Sequence, residues 1–106
     1  MKKQVVIDDR ANKELSDFPD EVQFAFTGLF RQLGTYGQLS EPEAKKMSGQ
    51  KNLFEVRIRL LGQWRAFYCY LKNDQIIILH ATQKKTQKTE KRNIETTLKR
   101  MKDYLA

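Results

Sequence analysis

Five charged residues in the second half of the chain have the types and spacing to act on a phosphodiester. Arg57 and Arg65 stand on either side of a short Leu61-Gly62-Gln63 connection, Glu55 lies two positions before Arg57, and Lys84-Lys85 follows an apolar run. Guanidinium groups bind phosphate through two parallel hydrogen bonds and stay charged. Ammonium groups can stabilise developing negative charge, and one of them can move a proton. RNA cleavage by its own 2′-hydroxyl asks for three operations. A proton leaves the attacking oxygen, a more negative phosphorane is stabilised, and the leaving 5′-oxygen is protonated. Metal is optional in that chemistry. No His, Cys and carboxylate cluster here has metal-ligand spacing, so neither a metal nor another cofactor is expected.

The remaining candidates are weaker. Glu55 can be a general base or can orient Arg57, and the orienting role is the better reading. His80 is the single histidine, with chemistry suited to acid–base work. It ends an apolar strand, where a hydrogen-bonded structural histidine is the commoner outcome. Tyr36 and Tyr104 are proton donors without positional support. Arg59, Lys46, Lys88 and Lys91 are candidate RNA contacts, although solvated loop lysines are the better reading of Lys45, Lys46 and Lys51. Trp64, Phe67, Tyr68 and Tyr70 can stack on bases, but strands this aromatic need buried partners, so most belong to the core.

Three consecutive strands must position these groups. In the first, Phe54, Val56, Ile58 and Leu60 alternate with Glu55, Arg57 and Arg59, which puts one apolar and one charged face on a strand. Residues 64–71 form an aromatic second strand, and Asn73-Asp74 a compact turn. Ile76, Ile77, Ile78 and Leu79 form an unbroken apolar run, the pattern of a strand buried on both sides. Joined as a meander, the strands bring Arg57 and Arg65 together, with Lys84 and Lys85 leaving from the next strand end. That arrangement gathers four cations on one small surface.

The rest reads as support. Gln4-Val5-Val6-Ile7 is a short strand, and Asp8 or Asp9 can cap the helix after it. Ala11, Leu15 and Phe18 recur at helical spacing. Pro19 ends that helix and opens a second, in which Val22, Phe26, Leu29, Phe30 and Leu33 make a wide apolar stripe. Gly34 or Gly37 terminates it. The two helices form an antiparallel hairpin on one face of the sheet. Residues 35–52 lack a period and read as loop. Thr89 caps a last helix over residues 90–105, with Ile94, Leu98, Met101 and Leu105 on one face. The expected fold is therefore α+β: a helical hairpin on a mainly antiparallel four-stranded sheet, closed by a C-terminal helix.

At 106 residues the chain is one domain, 1–106, with room for a modest core. It has no apolar run of membrane-spanning length and no signal-peptide pattern, so a cytoplasmic location is expected. Cys69 has no cysteine to pair with and reads as a small strand residue. Net charge is +7. Residues 1–50 hold 7 Lys/Arg and 8 Asp/Glu, a net of −1, and residues 51–106 hold 13 and 5, a net of +8. The excess lies wholly in the sheet and terminal segment, which favours a polyanionic partner over a merely soluble surface.

Leu53-Phe54-Glu55-Val56-Arg57, Arg65, Tyr68, Leu79-His80 and the run Lys84-Lys85-Thr86-Gln87-Lys88-Thr89 together resemble the RelE/HigB-type toxins of bacterial type II toxin–antitoxin modules. The phage-derived, HigB-like branch is the nearest. That branch commonly has Gly-Phe after the histidine position and Pro after the final threonine. Here those positions are Ala81-Thr82 and Glu90. The resemblance implies a RelE-like fold and a metal-independent endoribonuclease that cuts mRNA, often on the ribosome. It also implies a helix-turn-helix antitoxin partner, and operator DNA bound through the toxin–antitoxin complex. It implies no membrane association. A non-catalytic nucleic-acid-binding module and an antitoxin-binding domain remain the competing readings of the same basic face.

Overall fold

The computed structural model describes residues 2–85 and 87–105, with the side chains of residues 87–89 outside that description. In chain order the elements are β1 (Gln4–Ile7), α1 (Asp9–Ser16), α2 (Asp20–Tyr36), β2 (Ala44–Lys46), β3 (Phe54–Arg59), β4 (Gln63–Leu71), β5 (Gln75–Gln83) and α3 (Gln87–Leu105). The sheet has five strands, in the order β1-β5-β4-β3-β2, rather than the four expected. The additional strand, β2, lies in the segment that reads as loop. Three residues are too few to display a period of two. Ala44, Lys45 and Lys46 become a strand because Val56, Glu55 and Phe54 of β3 offer them an open edge. β1 runs parallel to β5, and the other pairings are antiparallel.

Local chemistry fixes the helix ends. Asp8 is the cap of α1, its Oδ1 accepting from the Arg10 N–H at 2.9 Å, while Asp9 is the first helical residue. The helix stops at Ser16, before Phe18, yet the Phe18 ring still packs 4.6 Å from that of Trp64. Gln23 Nε2 donates to the Phe18 and Ser16 carbonyls, covering the end of the preceding helix. Gly37, at φ 80°, closes α2 in the left-handed region where glycine carries no Cβ penalty. Gly34 is an interior residue of α2 instead. A Cβ there would sit 3.2 Å from the Lys3 carbonyl oxygen, so its absence lets the helix lie against β1.

The sheet is a middle layer with a core on each side. Val56, Ile58, Trp64, Ala66, Tyr68, Ile76 and Ile78 face α1 and α2, where they meet Ala11, Leu15, Val22, Phe26, Phe30 and Leu33. Leu53, Phe67, Cys69, Ile77 and Leu79 face the other way, with Ile94, Leu98 and Met101 of α3 packed on them. The unbroken run in β5 thus divides between two cores, as its composition implies. Leu60 lies beyond the end of β3 and is largely exposed rather than part of the apolar face. Burial pushes the Cys69 thiol up to about 11, leaving it a small inert strand residue. No helix among the described residues is long and apolar enough to cross a membrane.

α3 starts at Gln87, so Thr89 is in its first turn and does not cap a helix over 90–105; its side chain is outside the described residues. Two polar clusters tie this helix to α1. Glu14 accepts from Arg100 Nη1 and Nη2, each at 2.9 Å, from the Ala81 N–H at 3.2 Å, and pairs with His80 Nδ1 at 2.9 Å. Arg100 also donates to the Leu79 carbonyl at 2.9 Å. In the second cluster Arg10 bridges Asp8 and Asp103, and the Tyr104 hydroxyl donates to Asp8.

Burial pushes the Glu14 carboxyl up, but the hydrogen bonds from His80, Arg100 and the Ala81 N–H outweigh it and bring the pKa from 4.5 down to about 2. A carboxyl lowered on folding stabilises the folded state fully above its unfolded value and loses that contribution as the pH falls through the folded value. Glu14→Gln should therefore cost about 2 kcal/mol near neutral pH, since this half-buried carboxylate gives up charged hydrogen bonds to Arg100 and His80. The gap between wild type and variant in thermal melts should narrow between pH 5 and pH 2 on the same linkage argument. A gap independent of pH would contradict this assignment.

Candidate phosphate-binding cleft

The charged face of β3 points toward the α3 side of the sheet. In the antiparallel register Arg57 is the direct partner of Arg65, and Glu55 that of Phe67 on one strand and Lys45 on the other. Paired residues share a face. Glu55, Arg57, Arg59, Arg65, Lys45, Lys84 and Glu90 consequently line one polar cleft, with Met47, Ile58, Gln63 and Trp64 in its walls.

Glu55 is 2 % exposed and lies between the guanidiniums, 3.6 Å from Arg57 Nε and 3.4 Å from Arg65 Nη1. Arg65 is 5 % exposed and donates to Glu90 Oε1 at 2.7 Å, its shortest contact. Arg57 is more open and donates to the Pro42 carbonyl at 3.3 Å. Among the described residues, Arg57 Nε and Glu55 Oε2 are buried without a hydrogen-bond partner. The Lys84 backbone N–H donates to the Gln63 carbonyl at 2.8 Å, which anchors this exposed lysine at the cleft. The Arg65 hydrogen bond holds the Glu90 carboxyl below its usual range; burial opposes this, and attraction from Arg65, Lys84 and Lys45 adds to it.

Arg57, Arg65, Lys84, Glu55 and Arg59 are thus brought together. Lys85 is not among the cleft's lining; it borders a neighbouring groove with Glu14, Asp17, Phe18, Trp64, His80 and Thr82. Lys46 pairs with Phe54 and so faces the helical-hairpin side, while Lys45 takes the place beside Glu55. Alternation would have separated these two lysines had β2 been legible as a strand. Lys91 is exposed on α3 outside the cleft's lining, and the Lys88 side chain is outside the described residues. Glu90 is a second carboxylate beside Arg65 that sequence reasoning did not single out. No spacing rule links Glu90 to Arg65 across 25 residues, and only the packing of α3 brings them together.

His80 is 7 % exposed and stacks on Phe67, with Nδ1 on Glu14 and Nε2 2.9 Å from Asn93 Oδ1. Both ring nitrogens are engaged away from the cleft, the arrangement of a structural histidine. Tyr104 is likewise committed to Asp8 in the second polar cluster. Tyr36 is exposed on the last turn of α2 and outside the cleft's lining. Trp64, Phe67 and Tyr68 are buried, and half-buried Tyr70 donates through its hydroxyl to the Gly37 carbonyl at 2.8 Å. None of the four presents an open stacking face. Among the described residues no group of three or more His, Cys, Asp or Glu could hold a metal ion.

Known proteins place this architecture. The family model described as phage derived protein Gp49-like matches residues 13–102. No curated protein matches the chain. Among solved structures, a doubly substituted E. coli toxin RelE in the free state is similar at a TM-score of 0.69 and 14 % identity, over 90 % of this chain and 97 % of that one. A chain of the intact E. coli RelBE toxin–antitoxin complex is similar at 0.65 and 15 % identity, over 79 % and 99 %. A chain of the archaeal RelE–RelB complex from Pyrococcus horikoshii OT3 gives 0.61 and 26 % identity, over 78 % and 96 %. With a family match spanning most of its length and the architecture of RelE, the chain belongs to the phage-derived Gp49-like family and has a RelE-like α+β fold.

Proposed function

We propose that this protein is the toxin of a type II toxin–antitoxin pair and a metal-independent endoribonuclease that cuts mRNA on the ribosome. The observation that carries this reading is the convergence of Arg57, Arg65 and Lys84 around buried Glu55 in one cleft. The similarity to RelE in its free and antitoxin-bound forms supports it.

In this mechanism the RNA 2′-oxygen attacks phosphorus and gives up its proton to solvent water. A phosphorane forms, the P–O5′ bond breaks, and the 5′-oxygen takes a proton to leave a 2′,3′-cyclic phosphate. Arg57 and Arg65 hold the non-bridging oxygens, whose charge grows in the transition state. Glu55 orients both guanidiniums from beneath. Lys84 is the exposed cleft cation and adds charge stabilisation or supplies the proton for the 5′-oxygen. Arg59 extends the path for the RNA backbone, with Lys45 on the opposite rim. Lys85, one residue beyond Lys84, contacts the strand as it leaves the cleft. The protein acts in the cytoplasm, where a helix-turn-helix antitoxin covers it and the pair binds operator DNA.

Purified protein should cleave mRNA in a translating extract and leave 2′,3′-cyclic phosphate ends. Arg65→Ala or Arg57→Ala should lower the cleavage rate by about 100-fold or more, the effect of removing one transition-state donor. A fully toxic Arg65→Ala variant would overturn the site assignment.

One observation favours a second reading, a basic nucleic-acid-binding or antitoxin-binding module without catalysis: Arg65 is already paired with two carboxylates. Both readings expect salt-sensitive RNA binding. Losing a phosphate contact through Arg57→Ala or Lys84→Ala should reduce the slope of log K against log salt by about 0.7 for single-stranded RNA. Salt titrations with unchanged slopes would place the RNA elsewhere, and binding without cleavage in the translating extract would select the second reading.

A further inference from the structure

Arg65 meets its two carboxylates on unequal terms. Glu55 belongs to β3, is 2 % exposed, and stands 3.4 Å from Arg65 Nη1 without a hydrogen bond to it. Glu90 belongs to the first turn of α3, is 28 % exposed at its side chain, and makes the 2.7 Å hydrogen bond to the same nitrogen. A carboxylate oxygen and a phosphoryl oxygen are alternative anionic acceptors for one guanidinium N–H. Glu90 Oε1 therefore sits where a phosphoryl oxygen bound by Arg65 would sit.

We propose that Glu90 is an internal competitor for the phosphate seat on Arg65, and that RNA enters the cleft by displacing this carboxylate. The proposal rests on the reading of the cleft as a phosphodiester site. Three further observations support it. Lys45 and Lys84 line the same cleft and attract an incoming phosphate as they attract Glu90. Arg57 is the more open guanidinium, 32 % exposed at its side chain, and stands beside Arg65 where it can take a second phosphoryl oxygen. The Glu90–Arg65 bond is also not what holds α3 on the sheet. Ile94, Leu98 and Met101 pack into the core, and Arg100 is clamped by Glu14 and the Leu79 carbonyl. Glu90 can leave Arg65 while the helix stays docked.

The test is binding of a 2′-O-methyl RNA oligonucleotide, which cannot be cleaved, to the full-length protein by fluorescence anisotropy at fixed salt. Glu90→Gln should bind about tenfold more tightly than wild type, the scale of one charge-assisted hydrogen bond released from competition. Its melting temperature should change little. Glu95→Gln makes the same charge change at an exposed position of α3 and should give a clearly smaller gain. In an Arg65→Ala background the Glu90→Gln gain should vanish. Unchanged or weaker binding by Glu90→Gln overturns the proposal. So does a gain matched by Glu95→Gln or kept without Arg65, because the effect would then be net charge alone. Weaker binding with a lowered melting temperature would instead make Glu90 a structural pin. A tenfold gain with no cleavage of unmodified RNA by either protein upholds the seat and removes the ribonuclease reading. Absence of RNA binding by both proteins removes both.

Discussion

Arg57 and Arg65 are direct cross-strand partners, and like charges in that relation repel. The sheet tolerates them because Glu55, two residues from Arg57 on the same face, is buried between their guanidiniums. A buried carboxylate alone would be costly, and so would two buried cations. Together they carry a net positive charge at the end of the sheet where Glu90 of α3 meets Arg65. Everything chemically interesting in the molecule depends on this three-residue arrangement. It places two guanidinium groups side by side and fixes them to strands rather than to loops.

The remaining architecture holds that cluster rigid. β5 is buried on both faces, so the sheet it shares with β3 and β4 cannot flex without disturbing two cores. α3 packs Ile94, Leu98 and Met101 on the apolar part of its side of the sheet and brings Glu90 to Arg65 at the charged part. Glu14, His80 and Arg100 lock α1, β5 and α3 together at one corner. That lock absorbs the only histidine in the chain. The proposed reaction therefore draws its acid–base groups from the cleft, whose described charged residues are carboxylates, guanidiniums and a pair of lysines.

Such an inventory suits phosphate chemistry, in which positioning and charge stabilisation supply most of the rate. It also explains a tension in the cleft. Strong cation clusters need local anions to fold, and under the proposed reading those anions compete with RNA phosphate. Glu55 answers the folding requirement from within the cluster. Glu90 reaches the same guanidinium from α3 and, under that reading, bears on access rather than on stability.

The alternation of 54–59, the apolar run at 76–79 and the helical stripes were legible in the sequence, because periods of two and 3.6 follow from backbone geometry alone. They determined the three-strand meander, the helical hairpin, the terminal helix and the pairing of Arg57 with Arg65. The charge asymmetry likewise belonged to the sequence, since it needs no fold to exist. Tertiary structure decided what depends on contacts between distant segments. β2 exists only because β3 has a free edge, and this is why Lys45 rather than Lys46 joins the cleft. The divergence of Lys84 and Lys85 into different grooves, the engagement of His80 and the arrival of Glu90 at Arg65 depend on how α1 and α3 pack. Nothing in residue spacing encodes that packing, because it is fixed by side chains from both cores acting at once.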